Sequence, residues 1–339
     1  MKHSRKFTGC FAKCLDPDLQ TVTQMWRRNV TRNVTQMWQI FNESGSSPEY
    51  WGRLNPEWGL CNKGRRQSPI NVDPQKLLFD PFLPPLDINK ETINGMLLNT
   101  GQSLVFRVDK ENKNHVNITG GPLAYRYQFE EFYIHYGSSD HSGSEHTISG
   151  YAFPAEIQLY GFNSELYHNM SEAQTKAQGT VGISVMVQIA EAPNPDIRMI
   201  TAPFKEVKFK GNKTPIKHLS LQSFLPDTIS YMTYEGSLTY PGCWETTVWI
   251  ILNKPIYMSK AELYSLRNLK RGSKDAPIGP LGDNSRPTQN ISNRTVRTNI
   301  NFRKIDAPDE TLYSINRVLK EKSSNVYLNL GCGHGYLVM

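Results

Sequence analysis

From about residue 47 onward the chain is cut into short alternating or apolar runs, among them MLLNTG, SLVFRVDK, HVNITGG, GISVMVQIA, SYMTYEGSL and VWIILNKPIY, separated by Gly, Pro, Asn and Asp clusters. Runs of this length bounded by turn residues predict a β-rich domain with irregular connections. One segment departs from the pattern. SKAELYSLRNL, 259 to 269, opens on Ser259 with Glu262 three positions on, and spaces Leu263, Leu266 and Leu269 near the helical period. That is the signature of a capped surface helix packed on the sheet. With 339 residues and 38% hydrophobic content, the chain can bury a sizeable core.

The flanks differ in character. Residues 1–46 are polar and basic, and VTQMW at 22–26 returns at 34–38, a local duplication in what reads as a poorly ordered arm. The net charge of +7 is concentrated there, since the first 32 residues hold seven Lys or Arg against Asp16 and Asp18. The rest is near balance and lacks a basic stripe interleaved with aromatics, which argues against nucleic acid as a partner. No run of 18 apolar residues exists, so no helical membrane span is expected. The basic start MKHSRKFTGCFAKCLDPDLQ has no apolar core, and taken alone it predicts a cytosolic chain without a secretory signal. The tail, 306–339, contains the amphipathic ETLYSINRVLKEK and then VYLNLGCGHGYLVM. GCGHG resembles the glycine-rich loop of methyltransferases, but that loop needs a following helix and further strands, and only four residues follow Gly335.

Two strand-like stretches carry candidate chemistry. EFYIHYG, 131–137, alternates, placing Glu131, Tyr133 and His135 on one face and Phe132, Ile134 and Tyr136 on the other. AEIQLYGF, 155–162, places Glu156, Gln158 and Tyr160 together. Imidazoles at 133 and 135 would grip one metal ion, but the chain supplies one imidazole and one phenol. Sequons occur at Asn29, Asn33, Asn42, Asn117, Asn169, Asn212, Asn290 and Asn293; they mark N-glycosylation sites or are the chance product of a polar, loop-rich chain.

The region 120–167, GGPLAYRYQFEEFYIHYGSSDHSGSEHTISGYAFPAEIQLYGFNSELY, closely resembles the centre of the alpha-class carbonic anhydrases. The resemblance extends through YWGRLNPEW, RRQSPIN, LLNTGQSLVF, LPDTISYMTYEGSLTYP, TTVWIILNKPIYMS and DNSRPTQ, in one unbroken order over roughly residues 47–303. It implies an α+β, predominantly β fold for residues 47–305: a large central, mostly antiparallel twisted sheet with short peripheral helices. In that family three histidines hold zinc and lower the pKa of a bound water to about 7. Their positions correspond to Tyr133, His135 and Gln158, so the resemblance implies a chain without zinc or other cofactor and without carbonic anhydrase activity. Gln102 stands where the family's proton-shuttling histidine would be. Glu145 and Thr239 match the pair that orients the zinc-bound water, and Glu156 a carboxylate behind the ligands. A hydrogen bond between Thr239 and Glu145, with His135 as a core histidine, would satisfy these survivors without catalysis. His141 and His146 are the candidates for a relocated metal site with weak hydratase or hydrolase activity.

This pattern of losses is similar to the carbonic anhydrase-related proteins, and RTNINF and DNSRP resemble the secreted members numbered ten and eleven, whose first ligand position carries arginine rather than a tyrosine such as Tyr133. Cys61 and Cys243 match the disulfide of extracellular carbonic anhydrases. With the sequons, this implies a secreted glycoprotein; two buried free thiols in a cytoplasmic regulatory module of the same fold are the alternative. The secreted relatives bind neuronal surface proteins such as neurexins, and the domain recurs in receptor phosphatases that engage contactins. The implied role is an extracellular protein-binding module, with Cys10, Cys14 and Cys332 left to pair with each other or with another chain.

Overall fold

The computed structural model describes residues 47–192 and 195–302. The arm 1–46 with its repeat, Asn29, Asn33, Asn42, Cys10, Cys14, Cys332 and the tail 306–339 lie outside the described residues. Among the described residues fifteen strands follow one another: β1 Asn71–Val72, β2 Leu78–Phe79, β3 Leu86–Ile88, β4 Thr92–Asn99, β5 Leu104–Val108, β6 Asn117–Gly120, β7 Tyr127–Tyr136, β8 Thr147–Ile148, β9 Ala155–Asn163, β10 Thr180–Ile189, β11 Lys213–Ser220, β12 Tyr231–Gly236, β13 Thr247–Leu252, β14 Ile256–Met258 and β15 Arg297–Thr298. Thirteen form one sheet whose main path is β11-β4-β5-β7-β9-β10-β13-β12-β15-β2, while β1 and β8 pair separately. The large sheet is mostly antiparallel, as expected, with parallel pairs at β10–β13, β10–β14 and β15–β2. The implied architecture of a predominantly β protein with short helices at its margins is the one observed.

The middle strands separate two environments. Leu97, Leu104, Phe106, Phe132, Ile134, Ile157, Leu159 and Ile183 belong to one apolar core on one face. A register shift between Phe129 and Glu131 decides which residues of β7 join it. Tyr127 and Phe129 lie in this core before the shift, and Phe132, Ile134 and Tyr136 after it. The extra residue of a bulge exchanges the faces of everything beyond it, and so Glu131, Tyr133 and His135 turn to the opposite side. The helix Lys260–Arg267 covers the apolar core through Leu263 and Leu266, with Leu269 just beyond its end. Its start is the expected capping box: Ser259 accepts from the Glu262 N–H and Glu262 accepts from the Ser259 N–H.

Cys61 and Cys243 form the disulfide that the resemblance implied, closing a sequence separation of 182. A covalent closure of that size removes loop freedom from the unfolded chain. Replacing both cysteines with serine is expected to lower unfolding free energy by about 2–4 kcal/mol. Urea titration against the oxidised parent measures it, and a loss below about 0.5 kcal/mol would contradict a stabilising role.

Candidate functional site

On the face opposite the apolar core, the antiparallel register of β7 and β9 sets Tyr133 against Gln158 and His135 against Glu156. Tyr133, His135 and Gln158, which the resemblance matches to the zinc ligands, are therefore brought together on neighbouring strands. What they do there is different. The Gln158 amide donates from Nε2 to Glu145 Oε2 and Glu156 Oε1, both at 2.9 Å. Its Oε1 accepts from the Tyr160 hydroxyl at 2.7 Å and from Thr239 Oγ1 at 3.1 Å. Two donors and two lone pairs are the full capacity of a primary amide, and all four are used.

Glu156 is the electrostatic centre. Its Oε2 accepts from the backbone N–H groups of Glu145 and His146 at 2.8 Å each. Its Oε1 accepts from Gln158, from His146 Nδ1 at 2.8 Å and from the Ser184 hydroxyl at 2.7 Å. Burial on its own raises the pKa of this carboxyl, but the adjacent His146, with His135 and the Ser184 hydroxyl, reverses the effect and holds it at about 2. His146 Nε2 continues the chain to the Tyr234 hydroxyl at 2.7 Å, which donates to Ser68 Oγ at 2.9 Å. The His146 ring, a candidate for a relocated metal site, is completely buried and bonded at both nitrogens.

The expected Thr239–Glu145 hydrogen bond is not made, because the Gln158 amide stands between them. The other oxygen of Glu145 accepts from the Arg286 N–H at 2.8 Å. His135 Nδ1 lies 3.2 Å from the Asn284 carbonyl and 3.4 Å from Glu145 Oε1, as a buried, partnered histidine. The Tyr133 hydroxyl donates to Glu131 Oε1 at 3.1 Å, and Glu131 Oε2 accepts from Arg107 Nε at 2.9 Å. Burial and the Glu131 charge raise the Tyr133 pKa far above that of an ordinary phenol, so a phenolate ligand is disfavoured. Its ring stacks on Tyr240 at 5.8 Å and meets Tyr160 edge-on at 5.7 Å, while Tyr160 and Tyr240 meet at 5.7 Å. A saturated amide, a neutral phenol turned to a carboxylate and one imidazole do not fit zinc, and no step of a hydration reaction can be routed through them. Among the described residues, no group of three His, Cys, Asp or Glu side chains is placed to hold a metal.

Other expected positions lie apart. Gln102 sits between β4 and β5, its N–H donating to Thr100 Oγ1, and forms no hydrogen bond with the central cluster. His141 is exposed in the SSDHSGS loop. Of the sequons, Asn117 begins β6, Asn169 caps the short helix Met170–Ala173, Asn212 accepts from the Phe209 N–H in a turn, and Asn290 and Asn293 are exposed. Tyr240, Tyr234, Ser184 and Arg286 have functions that sequence inspection missed. Tyr160 was visible through its alternation with Gln158. Arg286 lies in the DNSRP motif, where its guanidinium donates to the Ser68 carbonyl at 2.6 Å and Gln67 Oε1 at 3.0 Å beneath Trp51.

Since the Glu156 pKa is depressed from its ordinary value of 4.5, the ionised side chain favours the fold above that pH, and the contribution is lost as pH falls toward about 2. Glu156→Gln presents an amide donor to groups that are already donors. A loss of about 3–5 kcal/mol at neutral pH is expected, with a flatter acid limb below pH ~4.5. Urea titrations from pH 2 to 7 measure both, and an unchanged acid limb would refute the assignment.

Comparison with known proteins agrees with this geometry. Residues 46–300 match the family profile described as eukaryotic-type carbonic anhydrase. The chain is 39% identical over 289 residues to putative carbonic anhydrase-like protein 2 of Caenorhabditis elegans, covering 84% of this chain and 83% of that protein. These two matches establish that the chain belongs to the eukaryotic-type carbonic anhydrase family.

Proposed function

We propose that this protein is a catalytically silent carbonic anhydrase-like module that works outside the cell by binding another protein. The observation that carries the proposal is the Gln158 amide, which spends all four of its hydrogen bonds inside the site. A metal would have to displace those bonds and take from each of two buried carboxylates one of its donors. Relocation is disfavoured too, because both ring nitrogens of His146 are engaged and His141 is out in its loop.

The disulfide supports an oxidising compartment rather than a cytoplasmic regulatory module. The exposed Asn169, Asn290 and Asn293 support a glycoprotein. The partner class that fits is a cell-surface protein, with neurexin-like receptors the first to test because the resembling secreted members bind them.

Protein purified from a secreting host is expected to contain no stoichiometric zinc and to hydrate carbon dioxide at the uncatalysed rate. One zinc per chain together with hydration above that rate would overturn the proposal. Tyr133→His combined with Gln158→His is expected to acquire about one zinc per folded chain, since the strand register already juxtaposes the three positions. Elemental analysis of the folded double variant decides it: a metal-free result would mean that these are not the ligand positions.

A further inference from the structure

Residues 205–217 and 270–275 hold eight Lys or Arg against Glu206 and Asp275. The near balance of the chain beyond its basic arm is therefore the sum of this basic region and an acidic remainder. The fold makes one surface of the two segments. Asn99, fully buried at the end of β4, donates from Nδ2 to the Val207 carbonyl at 3.0 Å, the Lys208 carbonyl at 3.3 Å and the Lys270 carbonyl at 3.1 Å. Main-chain bonds also run directly between the segments: the Lys270 N–H donates to the Lys208 carbonyl at 2.8 Å, and the Lys210 N–H to the Gly272 carbonyl at 2.9 Å. The Asn99 N–H donates to the Asn212 carbonyl, which brings up Lys213 at the start of β11. Gly101, with a φ of 85°, leaves the space that the approach needs, since a Cβ there would meet the Lys210 stem and the Arg271 carbonyl, each at 2.8 Å.

Lys208, Lys213, Arg271 and Lys274 are exposed on this surface, with Lys210 and Lys270 half-buried between them. Among the described residues none of the six is in an ion pair, whereas Arg66, Arg107, Arg267 and Arg297 all are. The neighbouring carboxylates are turned elsewhere: Glu206 accepts from the Thr214 hydroxyl and Asp283 from the Ser138 N–H, while Asp275 follows Lys274 in the loop. Like charges held together by backbone hydrogen bonds repel one another, and a bound anion relieves that repulsion.

We propose that this surface binds a sulfated polysaccharide, with successive sulfate groups lying across Lys208, Lys210, Lys213, Lys270, Arg271 and Lys274. A sulfate ester stays ionised through the whole pH range of a folded protein, and a chain of them needs a row of cations rather than a pocket. Affinity then comes from paired charges and released counterions. Other polyanions fit less well. Stacked bases have no open platform here, because Phe209 is half-buried and Lys208 Nζ lies over its ring, 5.5 Å from the centroid. A bilayer would need apolar side chains among the cations, and Ile278, 66% exposed beside Arg271, offers little. The choice of sulfate rests on the extracellular reading proposed above, but the basic surface does not. Its six residues take no part in the hydrogen bonds of Glu156 and Gln158.

Binding of the full chain to immobilised heparin tests the proposal in four forms: the parent, a variant with Lys208→Gln, Lys213→Gln and Lys274→Gln, the same three lysines changed to arginine, and an arm variant with Arg27→Gln, Arg28→Gln and Arg32→Gln. The parent should bind at about 0.15 M salt. The glutamine variant of the surface should bind about tenfold or more weakly, with the slope of log affinity against log salt reduced by roughly 2–3. The arginine variant and the arm variant should both bind as the parent does, the former separating loss of charge from loss of fold. No binding by the parent, undiminished binding by the surface glutamine variant, or a loss confined to the arm variant would overturn the proposal. So would hyaluronan, which carries carboxylates and no sulfates, binding as tightly as heparin, or phosphatidylserine vesicles or single-stranded DNA binding more tightly. Zinc with hydration activity, or a missing Cys61–Cys243 disulfide in native material, would sink the catalytic or compartment reading and leave these binding values unchanged.

Discussion

Five donors converge on one carboxylate, that of Glu156, and the arrangement of the sheet's polar face follows from satisfying it. They come from the 145–146 segment, from β9 and from β10, so that one buried charge ties a loop to two strands. Through His146 and Tyr234 the connection reaches β12 and Ser68. A buried charge with fewer partners would be costly, and one with this many specifies a single arrangement of its donors.

Within that frame, Gln158 takes over part of what a cation would do. Two carboxylates, Glu145 and Glu156, face the same point, and the NH2 end of the amide lies between them. Its oxygen meanwhile collects the Tyr160 and Thr239 hydroxyls. The site is thus internally balanced, with its polar groups paired to one another. Tyr133, Tyr160 and Tyr240 complete it as mutually packed rings. The consequence is a centre in which the amide and both carboxylates are already engaged with protein groups.

Much of this was legible in the sequence because period-2 alternation survives in EFYIHYG and AEIQLYGF. The β-rich character and the capped helix at 260–267 rest on local patterns, whereas the meeting of positions 133, 135 and 158 across two strands came from the family resemblance. The bulge at Phe129–Glu131 was not legible, since an unpaired residue is defined by the partner strand. Nor was the insertion of Gln158 between Thr239 and Glu145: three segments distant in sequence meet there, and which hydrogen bonds form depends on side-chain reach. Ser184 gave no local signal either, since a lone serine in an apolar strand reads as an ordinary small core residue.

The disulfide also has a topological meaning. β1 through β12 lie between Cys61 and Cys243, so almost the whole sheet is enclosed in one covalent ring. A single protease cut anywhere in that ring opens it without dividing the molecule, leaving one covalent particle whose strands are still paired. Damage to a surface loop is then separated from loss of the fold.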